Sequence, residues 1–507
     1  MSIYPEGVSA DEFTDLIAEL HAALGEDAVV TDPAVLRTWR DPYSYRETDR
    51  FDASAVVSPT STEQVQAVVR LANKYRVPLW TISQGRNNTY GGPAPRVRGS
   101  IIVSLRAMNR VLHVDDDLAY AVVQPGVRWF DLHDELNRRE TGLWSSIPDL
   151  GWGSIIGNSL EYGVGYSPNG DHASQLCGLE IVLPDGEILR TGMGGLPGSE
   201  TAHVYPHAFG PSLDGLFFQS NFGIVTSAGV WLLPRPERYT AGWVRFVGLE
   251  PLGPVVDVLR GLMLEGVITN LPMFSRGLEF DSDGVGRLSP GGDGWSVRFA
   301  LYGREAFVEE SWRIVADAIA SVPGAELARR DFDGGDLEGP ANHDERVQRG
   351  IPDMDLLDAR MLPYGEDTAH LDFSPVNTGR GTDIVRLEQL IAELDAKLGR
   401  VSVGGILLLG RAALHFTTSF YDPRDQAQTD ATFATYTAMV DELAAHGFAP
   451  YRTNLQSMDH VAGVFSQGAN AQLRLAEKLK DAIDVNGVLA PGKSGIWPAT
   501  RRPRSDD

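Results

Sequence analysis

Cysteine is almost absent from this chain. Cys177 is the only one in 507 residues, so no disulfide can close within it and no cysteine-built zinc or iron–sulfur site exists. It stands in SQLCGLEIVL, which reads as a buried strand, and a packed thiol follows rather than a nucleophile. Basic charge is scarce as well: 44 Lys and Arg face 68 Asp and Glu, for a net charge of −24, which argues against nucleic acid or an anionic membrane as a partner. No apolar run reaches the length of a membrane span. The opening MSIYPEGVSADEF lacks the basic start and apolar stretch of a secretion signal, so a cytoplasmic location is expected. Metal sites are not expected either. His203 and His207 stand four apart, but Pro206 between them opposes a helix and they lack acidic or cysteine companions. The DSDG at 281–284 starts like a calcium loop without the glutamate due at position twelve.

What is present is a 43% hydrophobic chain, long enough for two or three domains. A capping-box pattern at Ser9 and Glu12 precedes Phe13, Leu16, Ile17, Leu20 and Leu24 at helical spacing. A βαβ-like unit comes next, with strands at 55–57 and 78–82 around a helix at 62–75. Further strands are expected at 101–105, 120–123 and 179–183, and a helix at 129–138. Past PRPERYT the texture changes to alternating strands such as GWVRFVG and helices at 254–264 and 306–320. The Gly- and Asp-rich stretch 277–295 reads as a mobile hairpin or loop, 430–446 as a helix, VNGVLAPGKSGIWP as a strap, and RRPRSDD as a frayed tail. The fold class expected is α+β.

The segment SQGRNNTYGG, 83–92, carries the sharpest local signal. Gly85, Gly91 and Gly92 can take positive φ and let backbone N–H groups converge on an anion, with Asn87 and Asn88 as short polar arms. Neither a Walker nor a Rossmann spacing is present. By itself the segment is a Gly/Asn turn or a pyrophosphate cradle. Four more segments stand in order behind it: IPDLGWGSIIGNSLEYGVGYSPNGDH at 147–172, GIVT at 223–226, AHLDFSPVNTG at 369–379 and YRTNL at 451–455. With GRNNTYGGPAPRV, these resemble the vanillyl-alcohol oxidase and p-cresol methylhydroxylase flavoprotein family, from about residue 57 to 498 and most strongly its para-phenol oxidases.

The resemblance implies an FAD-binding domain made of two parts, 1–237 and 448–507, with an α+β cap domain at 238–447 between them. It implies FAD as cofactor. Gly85, Arg86, Asn87, Asn88, Gly91 and Gly92 would meet the pyrophosphate from one side, and Pro148, Gly151, Gly153, Ser154, Gly157 and Asn158 from another. Gly223, Ile224 and Val225 would lie along the adenosine or flavin edge, with Arg452 and Lys493 also touching the cofactor. His370 matches the position of a covalent bond to the flavin 8α-methyl; a packed or substrate-contacting histidine is the alternative. Tyr90, Tyr451 and Arg452 match the trio that binds the substrate phenolate, and Asp149 the aspartate beside the flavin, as charge stabiliser or base. Val164 and Tyr166 would line the pocket.

Asp372 stands two residues beyond His370 on an expected strand, so it shares that face. Vanillyl-alcohol oxidase has a bulky aromatic there. Here the position implies a polar, roomier wall, with space for a water near the benzylic carbon or for a methoxylated ring. Leu414 and Phe416 share a face and form either an apolar cavity wall or plain core. The activity implied is an FAD-dependent oxidase of para-substituted phenols. Hydride leaves the benzylic carbon, the resulting quinone methide takes water or loses a proton, and O2 becomes hydrogen peroxide. The alternatives are a cytochrome-linked 4-alkylphenol dehydrogenase, a sugar or aldonolactone oxidase, disfavoured by the phenolate trio, and a non-catalytic flavin-binding protein. The short connection GSETAHVYP, where vanillyl-alcohol oxidase carries its octamer-associated loop, implies a homodimer.

Overall fold

Local chemistry fixes the first element. Ser9 accepts a hydrogen bond from the Glu12 N–H, and Glu12 accepts one from the Ser9 N–H at 2.9 Å, so the helix Ala10–Leu24 opens on a reciprocal cap. The computed structural model describes residues 3–280, 286–289, 292–357, 365–400 and 402–503. The DSDG at 281–284 and the last four residues of the tail lie outside them.

Ala10–Leu24 buries Phe13, Leu16 and Leu20 beside the helix Thr62–Tyr75, which buries Val65, Val68, Val69 and Ala72. Both cover a four-stranded sheet in the order Val29–Val30, Ala55–Val57, Ile101–Ser104, Leu79–Ile82. The last three strands run parallel, which requires crossovers such as the one Thr62–Tyr75 provides. A second sheet of five antiparallel strands follows, in the order Val111–Asp115, Tyr120–Val123, Ile224–Trp231, Leu176–Val182, Ile188–Arg190. Cys177 is buried on its fourth strand, where burial pushes the thiol up to about 12 and keeps it unreactive.

From Arg238 onward the chain builds a nine-stranded antiparallel sheet. Its main path is Glu326–Asp333, Arg238–Val247, Gly294–Gly303, Met273–Phe280, Val403–Leu408, Ala412–Tyr421, Ala369–Phe373, with Gly286–Leu288 and Val376–Thr378 attached at its sides. The stretch 277–295 is thus a hairpin in its described part. Alternation gives the sheet two different faces. On one, Phe274, Val297, Phe299 and Ile406 pack under the helices Leu252–Leu264, Glu305–Ile319 and Gly381–Leu398. Glu388 of the last helix is buried there, pairing with Arg276 at 2.9 Å and His415 at 3.0 Å. The other face carries three cross-strand rows: Met273, Leu407 and Leu414; Ser275, Gly405 and Phe416; Val403, Thr418 and Asp372. That second face is turned toward a cavity.

The helix expected at 430–446 spans Gln426–Ala445, and those expected at 62–75 and 129–138 are found with these bounds. Among the described residues no helix is long and apolar enough to cross a membrane.

The C-terminal segment returns to the first sheet. The Leu79 N–H donates to the Val488 carbonyl at 2.7 Å and the Ala490 N–H to the Leu79 carbonyl at 2.8 Å. Lys480, fully buried, holds this return: its Nζ donates to the Asn221 carbonyl at 2.6 Å, the Leu489 carbonyl at 2.7 Å and Asp484 at 2.7 Å. Replacing one partner of such a pair strands the other charge in the interior. Lys480→Met is expected to cost about 3–5 kcal/mol in chemical denaturation; a loss below about 1 kcal/mol would mean the segment is held otherwise.

Candidate active site

The strand Leu79–Ile82 delivers the loop 83–92 to the rim of a cavity of about 580 Å³. Gly85 has φ +63, and a Cβ there would come within 2.8 Å of the Ile82 side chain; at Gly92 one would come within 2.4 Å of Pro42. Both glycines are needed for close approach. Gly91 and Gly153 differ. A Cβ at Gly91 would meet nothing within 4 Å, and at Gly153 nothing nearer than 3.8 Å, so these two loops leave open space between them. Trp152, on the same wall, has its indole Nε1 buried without a hydrogen-bond partner and Arg86 stacked 4.8 Å from its ring. Glycine loops with unfilled space and an unmet donor suit a bound dinucleotide cofactor. Asp41 and Tyr43 hold the first loop: Asp41 accepts from the Gly92 N–H, and the Tyr43 hydroxyl accepts from the Thr89 N–H, both at 2.8 Å.

Around the cavity lie Gly85, Arg86, Asn87, Asn88, Gly91, Gly92, Pro148, Gly153, Ser154, Gly157, Asn158, Gly223, Ile224, Val225 and Lys493. Ser154 caps the short helix Ile155–Leu160, accepting from the Gly157 N–H at 3.0 Å while donating to the Pro125 carbonyl. Lys493 pairs with Glu161 at 2.6 Å. His172 lies behind Asn158, hydrogen-bonded to its amide oxygen at 2.7 Å. Burial and the nearby Arg452 bring its pKa down to about 3, so it is a neutral prop.

Tyr90, Tyr451 and Arg452 meet in the same cavity. The Arg452 guanidinium lies 5.3 Å from the Tyr90 ring centre and 5.5 Å from that of Tyr451. Its Nε donates to the Glu161 carbonyl and its Nη2 to the Asn158 carbonyl at 3.4 Å, which fixes its plane. The Tyr90 hydroxyl hydrogen-bonds Ser374 Oγ at 2.6 Å. Burial raises the pKa of both tyrosines, with Arg452 opposing, so both remain neutral donors beside a permanent cation. The arrangement can bind an oxyanion.

Asp149 accepts from Arg298 Nη2 at 2.7 Å, from His343 Nε2 at 3.0 Å and from the Tyr166 hydroxyl. Burial pushes this carboxyl up, yet the charges and hydrogen bonds of Arg298, His343 and Tyr166 outweigh it and hold it well below the usual carboxylate range. So strongly held an anion accepts a proton poorly. Tyr166, its pKa raised far above normal chiefly by burial, lies under Arg298, whose guanidinium is 4.0 Å from the ring centre. Val164, Phe416, Thr418 and Asp372 complete the wall.

Three expected residues are not brought to the cavity. Gly151 faces away: a Cβ there would strike Pro352 and Phe130, and its N–H donates to the Asp353 carbonyl at 2.9 Å, so it serves packing. His370 does share the sheet face of Asp372, but it packs edge-on against Tyr43, ring centres 5.4 Å apart, and beside Phe420, which reaches the cavity in its place. Leu414 lies in the row behind Phe416 and packs with Leu407 in the core. Sequence reading missed Arg298 and the pair Gly404 and Gly405. An arginine inside the apolar strand GWSVRFALYG and two adjacent glycines in VSVGGILLL were available signals, since a buried charge needs a partner and strand glycines mark close approach.

Residues 53–192 match the family described as FAD binding domain. Over 98% of both chains, the protein is 31% identical to the 4-cresol dehydrogenase [hydroxylating] flavoprotein subunit of Pseudomonas putida. It is 29% identical to 1'-carboxy-chondrochloren decarboxylase of Chondromyces crocatus, over 95% of this chain and 98% of the other. The structure of 4-ethylphenol oxidase from Gulosibacter chungangensis in its isoeugenol complex superposes with a TM-score of 0.90 at 33% identity, covering 98% of this chain and 99% of that one. Substrate-bound p-cresol methylhydroxylase gives the same score and coverage at 30% identity.

The Asp149 cluster makes stability depend on pH. Burial lowers the His343 pKa, but hydrogen bonds to Asp149 and Asp353 overcome this and raise it from 6.5 to about 9. A histidine with a higher pKa in the folded state stabilises fully below its unfolded pKa, and that contribution is lost as pH climbs from about 6.5 through about 9. Its size is roughly 1–3 kcal/mol. The melting temperature should fall over this window in the wild type and less steeply in His343→Gln; parallel curves would show that His343 does not carry the effect.

Proposed function

Because the chain belongs to the vanillyl-alcohol oxidase and p-cresol methylhydroxylase family of FAD-dependent oxidoreductases, we propose that it oxidises para-substituted phenols at the benzylic carbon. The observation that carries this reading is the meeting of Tyr90, Tyr451 and Arg452 in a cavity that glycine loops also wall. Bound FAD would supply the hydride acceptor and pass the electrons on. The chain's own groups do the rest. Two neutral tyrosine hydroxyls and a guanidinium stabilise the phenolate over the phenol, and the negative charge then assists hydride loss by flowing into a quinone methide. Fixing the phenolate oxygen also fixes where the benzylic carbon lies, which removes much of the orientational cost. Asp149, held as an anion by Arg298, His343 and Tyr166, stabilises positive charge developing at the benzylic carbon, and addition of water or loss of a proton completes the product as alcohol or alkene.

In this reading, segments 1–237 and 448–507 hold FAD and 238–447 forms the cap. His370, packed against Tyr43 and Phe420 beside the cavity, is the proposed point of covalent attachment to FAD. The working form is a cytoplasmic homodimer with O2 as acceptor and hydrogen peroxide as product. The likeness to the 4-cresol dehydrogenase subunit favours a second reading, in which a cytochrome takes the electrons. Rapid peroxide formation in air would exclude that one.

Anaerobic addition of 4-ethylphenol is expected to bleach the flavin band, and an unchanged spectrum would remove the substrate class. Arg452→Met should lower kcat/KM for 4-ethylphenol by about 10²–10³ while FAD stays bound. Acid precipitation of the wild type should carry the yellow colour into the pellet and that of His370→Ala should not; flavin wholly in the wild-type supernatant would sink the covalent bond.

A further inference from the structure

The peptide that joins Tyr451 to Arg452 is held from two sides. On one side it runs beside residues 374–376: the Tyr451 N–H donates to the Ser374 carbonyl at 3.3 Å and the Val376 N–H to the Ala449 carbonyl at 3.0 Å, while Ser374 Oγ also bonds the Tyr90 hydroxyl at 2.6 Å. On the other side stands Gln219, which lines the cavity. Its side-chain Nε2 donates to the Tyr451 carbonyl at 2.9 Å, and its own N–H donates to the Leu160 carbonyl, also at 2.9 Å. Leu160 ends the helix Ile155–Leu160, and at that same helix end the Asn158 and Glu161 carbonyls accept from Arg452. The backbone of Gln219 is strained there. Its φ is +44, in the left-handed region that glycine enters freely and other residues rarely. A glycine at this position would keep the bond to Leu160 without the strain. What it would lack is the bond to Tyr451.

We propose that Gln219 is a positioning residue for the phenolate site, setting the Tyr451 hydroxyl against the Arg452 guanidinium so that both meet one oxygen. The inference deepens the phenol-oxidase reading and rests on it. A peptide unit is planar, so fixing the carbonyl oxygen of Tyr451 fixes the plane from which the Cα atoms of both Tyr451 and Arg452 depart. Gln219 ties that plane to the helix end whose carbonyls hold the guanidinium, and the neutral donor and the cation then move as one unit. Without this bond the helix end still holds Arg452, while Tyr451 follows only residues 374–376. Stabilisation of an oxyanion depends on donors already aimed at it, and a misplacement of about 1 Å costs on the order of 10² in rate. Gln219 thus acts through Tyr451 rather than on the substrate itself.

4-Nitrophenol reads the site directly: its phenolate is yellow, its phenol is not, and it has no benzylic carbon to oxidise. Difference spectra of the FAD-loaded wild type should show it bound as the phenolate at a pH where the free ligand is mostly neutral. Gln219→Met keeps the volume and removes the donor; Gln219→Gly removes the donor and the strain together. Both should bind the phenolate about tenfold more weakly and lower kcat/KM for 4-ethylphenol about tenfold, while the affinity for 4-nitroanisole, which has no proton to lose, changes less than about twofold. Should the methionine variant not load FAD, the glycine variant, unstrained at this φ, carries the comparison. Phenolate binding unchanged by substitution, or both ligands weakened alike as a merely structural role would have it, would overturn the proposal and leave the phenolate trio standing. A wild type that binds 4-nitrophenol only in its neutral form would remove the phenolate reading itself, and the role of Gln219 with it.

Discussion

Arg298 reaches out of the nine-stranded sheet and, itself buried, meets the partly buried Asp149 on a loop of the first half of the chain at 2.7 Å. A buried guanidinium tolerates this only when it is well paired, and here Asp344 at 2.6 Å and the Tyr166 ring share the charge, while its Nε is left without a hydrogen-bond partner. The demand propagates. Asp149 must stay ionised, His343 must stay protonated to complete the cluster, and Asp353 must remain in place to hold both His343 and the Gly151 N–H. The relative placement of sheet and loop is therefore tied to this cluster of charges.

The sheet that carries Arg298 works because its faces have unlike tasks. Phe274, Ile406 and Phe299 bury apolar area under helices, which supplies the stiffness; Met273, Ser275, Gly405, Phe416, Thr418 and Asp372 use the same backbone to shape a cavity wall. Gly405 matters to this division. A Cβ there would lie 2.0 Å from the Phe274 carbonyl, so the adjacent strands pack too closely for any side chain, and the wall stays low between Ser275 and Phe416.

Much of this was legible in the sequence, for identifiable reasons. Helices such as Thr62–Tyr75 announce themselves through apolar spacing, and the glycine loop and the Tyr-Arg pair are dense, ordered motifs that survive without knowing where the chain runs. Orientation inside a motif is another matter. Gly151 sits between cavity-lining neighbours yet points at Phe130 and Pro352, because a turn sends successive residues in unrelated directions. His370 and Leu414 were assigned to the correct face; which residue of a face reaches open space depends on what packs at the end of each row, here Tyr43, Phe420 and Leu407. Arg298 was missed because its significance depends on Asp149, a partner brought to it only by the fold.

The return of residues 488–490 to the edge of the strand Leu79–Ile82, with Tyr451, Arg452 and Lys493 contributed from the same late part of the chain, has a consequence for biosynthesis. On a ribosome the first sheets emerge and can begin to fold long before those residues exist. Until they arrive, one wall of the cofactor cavity is missing, Asn221 lacks the lysine that caps its carbonyl, and the edge of Leu79–Ile82 is bare. Assembly of the redox centre is thereby postponed to the end of translation, and a truncated chain that folded its early sheets would be an empty shell with an unprotected strand, disposed to aggregate rather than to run uncontrolled chemistry.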